Sequence, residues 1–102
     1  MYVAIATDGI PTLVEATDCT ALHVTAPSGW DPTRIDAAMR RAGAGTVVGD
    51  HVWLSIDWLV DTARAMVATG WHDEFAEMIE YARSRSWVSA DPSTVRAHIQ
   101  FS

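Results

Sequence analysis

Apolar and polar positions alternate most cleanly over Thr94–Phe101, where Val95, Ala97, Ile99 and Phe101 take one parity and Thr94, Arg96, His98 and Gln100 the other. A period of two marks a strand with one buried face. Thr20–Ala26 alternates likewise, with Leu22, Val24 and Ala26 opposite Ala21, His23 and Thr25. Tyr2–Ala6 and Thr12–Ala16 are shorter β-rich runs, separated by the turn cluster Asp8-Gly9-Ile10-Pro11. With Thr17-Asp18-Cys19 as a second turn, these three runs predict a meander. Gly49-Asp50 lies between two β-branched runs in Thr46–Ser55, which predicts a two-residue hairpin turn. In that register Val47 meets Val52 toward the core, and Val48, His51 and Trp53 face outward.

Three stretches carry the helical period instead. Asp31-Pro32 predicts a helix start, with Asp as N-cap and Pro at the first helical position. Ile35, Ala38, Met39 and Ala42 then share one face, and Gly43 is the stop. Ser55 is placed to cap a second helix whose Ile56, Leu59, Val60, Ala63, Met66 and Val67 hold the period until Gly70. A third helix, roughly His72–Ser84, turns Phe75, Met78, Ile79 and Ala82 inward and gathers Asp73, Glu74 and Glu77 in its first half. The predicted order is βββ-α-ββ-αα-β. Alternating rather than continuous apolar strands predict an antiparallel sheet of five to six strands with three helices on one face. The fold class expected is two-layer α+β, as one domain over residues 1–102.

A chain of 102 residues, 49% apolar and 20% charged, has material for one continuous core. Size scaling gives a folded surface of about 5,700 Å². Seven basic residues against 13 acidic ones leave a net charge of −6, and every basic residue is Arg. The absence of Lys and Asn reads as the codon bias of a GC-rich bacterial genome. Cys19 is the single cysteine, so no internal disulfide can form. The first residues lack the positive segment of a signal peptide, and the most apolar later run, Val52–Val60, is interrupted by Ser55 and Asp57, well short of a membrane span. A cytoplasmic location without membrane contact is expected.

The chemistry-bearing residues mostly exclude functions. His23, His51, His72 and His98 are far apart, without the close spacing of a zinc site, so no metal and no cofactor is expected. Cys19 has Asp18 beside it, and a neighbouring anion disfavours the reactive thiolate. Neither Ser28-Gly29 nor Ser55 stands in a nucleophile elbow. Gly43-Ala44-Gly45 follows a helix and precedes a strand, the reverse of a dinucleotide-binding loop. Scattered arginines and a negative balance argue against nucleic acid.

One surface remains. If helices cover the parity bearing Leu22, Val24, Val52, Leu54, Val95, Ile99 and Phe101, the other face presents His23, Thr25, His51, Trp53, Arg96, His98 and Gln100, with Glu15 at its margin. Imidazoles, a guanidinium and an indole suit the capture of a small anionic molecule or acid–base work. The face is readable first as a plain solvated surface, and next as a seam between copies of the chain anchored by Trp53. The expectation is a small self-associating domain, a homodimer or other homo-oligomer, that binds a partner or small anionic ligand through Arg96, Trp53, His51 and Gln100. The alternative is a cofactor-free isomerase, lyase or hydrolase that works through His98 and His23 with Arg96 as anion clamp. Of the other tryptophans, Trp58, Trp71 and Trp87 read mainly as rim packing, the lesser reading being an aromatic cage for a cation lined by Trp and an acid such as Asp57 or Asp61.

Overall fold

The computed structural model describes residues 1–101. Asp31 keeps an extended backbone and its carboxylate accepts the Arg34 N–H, so helix α1 runs Pro32–Ala42. Gly43 ends it at φ 70°, and the N–H groups of Gly43 and Ala44 return to the carbonyls of Arg40 and Met39, which satisfies the last turn. Ser55 Oγ accepts the Trp58 N–H and starts α2, Ile56–Ala63. Helix α3 spans Trp71–Ser84 after Gly70, with Asp73 and Glu74 in its first turn and Arg83 in its last, the polarity that the helix dipole favours.

The strands are β1 Tyr2–Ile5, β2 Pro11–Val14, β3 His23–Ala26, β4 Gly45–Val48, β5 His51–Ser55 and β6 Thr94–Phe101. Together with the three helices they make an α+β fold among the described residues. The strands form one sheet in the order β2-β1-β3-β6-β5-β4. Pairs β1–β2, β4–β5 and β5–β6 are antiparallel, whereas β1–β3 and β3–β6 are parallel. The hairpin register places Val47 opposite Val52 and Val48 opposite His51, with Gly49 at φ 65° in the turn. Gly45 begins β4 where backbones crowd: a Cβ there would collide with the Trp53 carbonyl oxygen.

Several expectations are corrected. The sheet is mixed rather than antiparallel, and the first three strands are not a meander, because β3 lies beside β1 rather than β2. Alternation records which face a residue occupies and is silent on the direction and identity of the neighbouring strand. β1 takes an inner place with a partner on each side, and its Val3 and Ile5 are 0% and 4% exposed. Pro11, which has no N–H to donate, opens a strand at the sheet edge. The segment 15–22 turns tightly where the Asp18 N–H donates to the Glu15 carbonyl and then passes the start of β1, and β3 begins at His23 rather than Thr20. The Met1 ammonium donates to the carbonyls of Asp18 and Ala21 along that segment. The second strand ends at Val14, and Glu15 beyond it is exposed at φ 53°.

Helix α2 stops at Ala63, short of the predicted Val67, and Met66 is exposed rather than inward. The chain leaves the helix there and reaches Trp71, which is 4% exposed. Trp71 donates its indole N–H to the Ala16 carbonyl at 2.6 Å and stacks on Phe75. A buried indole with its N–H satisfied belongs to the core, not to its rim or to an open cation cage.

Val3, Ile5, Val24, Ala26, Val52, Leu54, Val95 and Ala97, all of one strand parity, join Ile35 and Met39 of α1, Leu59 of α2 and Phe75 of α3 in one buried cluster. Phe101 has the inward parity but is 55% exposed. The accessible surface, 5803 Å², matches the size expectation. Among the described residues no buried side-chain nitrogen or oxygen lacks a hydrogen-bond partner, and no helix is long and apolar enough to cross a membrane.

Candidate functional site

Strand β6 is long enough to serve two neighbours. Its first part, Thr94–His98, pairs with β5, and Ile99–Phe101 pairs with β3. His51 stands opposite His98, and Val24 opposite Ile99 makes His23 and His98 neighbours as well. Tyr2 lies opposite His23 on the far side. A row Tyr2–His23–His98–His51 therefore crosses four strands on the polar face. The Tyr2 and His23 rings stack at 4.9 Å, and those of His23 and His98 at 5.9 Å. One step along the strands, Arg96 lies opposite Trp53, which lies opposite Thr46. In the other direction Gln100 lies opposite Thr25.

Hydrogen bonds and charge set the state of these groups. Gln100 Nε2 lies 3.0 Å from His98 Nε2. An amide N–H only donates, so in this contact His98 Nε2 is the acceptor. His51 Nδ1 contacts the exposed Asp50 carboxylate at 2.7 Å. Partial burial pushes the pKa of His23 down, and the charge of His98 pushes it the same way, against a smaller upward pull from Glu15. Arg96 is half-buried, and its backbone N–H donates to the Trp87 carbonyl at 2.7 Å. Among the described residues its guanidinium has no ion-pair or hydrogen-bond partner.

The start of β6 extends past the start of β3, and Trp87–Val88 covers only part of the edge so exposed, through the Val88–Val95 bridge. A cleft of about 190 Å³ opens there between segment 20–22, Trp87, α3 and β6. Alternate residues of β6 line it from both sides of the sheet: Val95 and Ala97 from the core side, Arg96 and His98 from the polar side, joined by His51. Leu22, Met78, Ile79, Tyr81, Ala82 and Trp87 supply the apolar walls. Tyr81 and Trp87 meet edge to face at 6.0 Å.

Of the six residues singled out from the sequence, Arg96, His98 and His51 meet at this cleft. His23 backs His98 by stacking, and Gln100 orients the His98 ring. Trp53 belongs to the same face, on the β5 side of Arg96, and does not line the cleft. The reading of strand parity missed the α3 wall and Trp87. The one available signal was the Trp87-Val88 pair just ahead of the last strand, which is apolar without belonging to any periodic element.

Other constellations offer less. Burial pushes the Cys19 thiol up, and the charges of Glu74 and Asp18 add to this, so the thiolate is disfavoured. Among the described residues no three His, Cys, Asp or Glu side chains are grouped so as to hold a metal ion. No protein family, curated protein or solved structure matches the chain.

Proposed function

We propose that this chain is a small cytoplasmic binding domain that captures a small anionic ligand at the polar face of its sheet. In this reading the helices form one layer on the opposite side, which leaves that face open. The observation that carries it is Arg96, a half-buried arginine with no anion beside it among the described residues, in a chain with 13 acidic side chains. It lines a cleft with two imidazoles, His98 and His51, and with no carboxylate. Such a guanidinium offers a planar fork of donors to an incoming anion. Titration with inorganic phosphate and with propionate, followed by amide NMR, tests the reading. Saturable shifts should centre on Arg96, His98 and His51 and vanish in Arg96→Met, whereas uniform or unsaturable shifts would remove the proposal.

Self-association belongs to the same reading, on the β4–β5 half of the face, where Val48 is 61% exposed near Trp53. Trp53→Ser should lower the mass seen in sedimentation. The second reading is a cofactor-free acid–base enzyme, favoured by the position of His98 at the cleft beside a His23 pushed toward its neutral form. His98→Ala separates the two. In a binding domain the change is confined to ligand affinity, whereas a catalyst loses turnover out of proportion to any change in binding.

A further inference from the structure

Resting on that anion-binding reading, we infer that the ligand is an amphiphilic monocarboxylate of single-ring or short-chain size, its apolar body in the cleft and its carboxylate on Arg96. Size sets the first limit. At about 190 Å³ the cleft is slightly larger than the ~150 Å³ apolar cavity known to take benzene, and smaller than the ~300–1,000 Å³ of sites for drug-sized ligands. One ring with a short side chain fits, and a nucleotide does not.

Polarity sets the second limit. Val95 and Ala97 are 2% and 3% exposed and form an apolar floor. Leu22, Ile79 and Trp87 form apolar walls above it. A purely ionic ligand such as phosphate would leave these walls unfilled, and hydrophobic burial is the main source of affinity in sites of this kind. Charge sets the third limit. Arg96 is the one Arg or Lys among the lining residues, and no Asp or Glu joins it. A single guanidinium matches a single carboxylate through paired N–H···O bonds, whereas a phosphate monoester dianion would bring a second charge without a permanent counterion. The direction of the ligand follows from the strand itself. Even-numbered residues of β6 reach the polar face and odd-numbered ones the core, so the head meets Arg96 and His98 while the body points toward α3.

Calorimetric titration of the intact chain with 3-phenylpropionate, 3-phenylpropanol, acetate and inorganic phosphate tests this. The expected result is binding of 3-phenylpropionate at least about tenfold tighter than the alcohol, which lacks the charge-assisted hydrogen bonds, and at least about tenfold tighter than acetate, which lacks the ring. Arg96→Met should reduce the acid to the level of the alcohol, and Arg96→Lys, which keeps the charge without the fork, should fall between; circular dichroism verifies that both variants fold. Phosphate or acetate binding as tightly as 3-phenylpropionate would overturn the amphiphile and leave the anion site standing. Equal binding of acid and alcohol, or no binding of any of the four, would overturn the anion-binding reading as well.

Discussion

Val95 and Ala97 alternate with Arg96 and His98 along one strand, yet the two sets meet different surroundings. Val95 and Ala97 are packed with Val24, Val52 and Leu54, each nearly or wholly buried and each in the one core cluster. Across the strand, Arg96 has no side-chain partner among the described residues, while His98 is exposed, held by Gln100 and by stacking on His23. The core side is over-determined, since each residue is fixed by many neighbours and any change of volume is felt by all of them. The polar side is held by a few pairwise contacts. Groups with free donors and low packing density can change partner without disturbing the fold, which is the requirement for a binding surface.

That contrast can be broken or sharpened by substitution. The largest effect should come from Leu54→Ala, at a wholly buried position in β5. A cavity there should cost about 2–5 kcal/mol, read as a lowered midpoint in urea unfolding. Trp71→Phe should follow, because it removes the donor to the buried Ala16 carbonyl and leaves that oxygen unpaired, at about 1–3 kcal/mol. Gly45→Ala tests a different limit on the core side. The added Cβ meets the Trp53 carbonyl oxygen, a backbone atom unable to swing aside, and overpacking of this kind costs about 1–3 kcal/mol. A Gly45→Ala protein as stable as the parent would show that β4 and β5 are not so closely apposed.

On the polar side, Trp53→Ser should shift stability by no more than about 1 kcal/mol while lowering the proposed self-association. If it unfolds the protein, Trp53 is a core residue and the two faces are wrongly divided. The smallest expected effect is a pH slope. His23 is harder to protonate in the native state than its ordinary value of 6.5, so as pH falls past that value the unfolded chain takes up the proton first. Stability is therefore full above about pH 6.5 and declines below it, until native His23 itself titrates. Urea midpoints between pH 7.5 and 5.5 should show this decline, and His23→Gln should flatten it.

What could be read from the sequence alone was local. Asp31, Pro32 and Gly43 mark the ends of α1 through hydrogen bonds and dihedral preferences that span a few residues, and Ser55 starts α2 in the same way. Gly49-Asp50 sets the hairpin register, and the alternation from Thr94 to Phe101 assigns Arg96 and His98 to the face opposite Val95 and Ala97. Each of these choices is made within reach of one turn or one strand. The order of the strands is not. Parallel and antiparallel neighbours impose the same period of two, so nothing in the β3 pattern indicates that it would lie between β1 and β6. That depended on where segment 15–22 passes the start of β1, on contacts to Met1 and Trp71 that are distant in sequence. The same long-range packing ended α2 early and drew Trp71 inward. It also set α3 and Trp87 against the open edge of β6, turning a row of polar residues legible in the sequence into the rim of a cleft that was not.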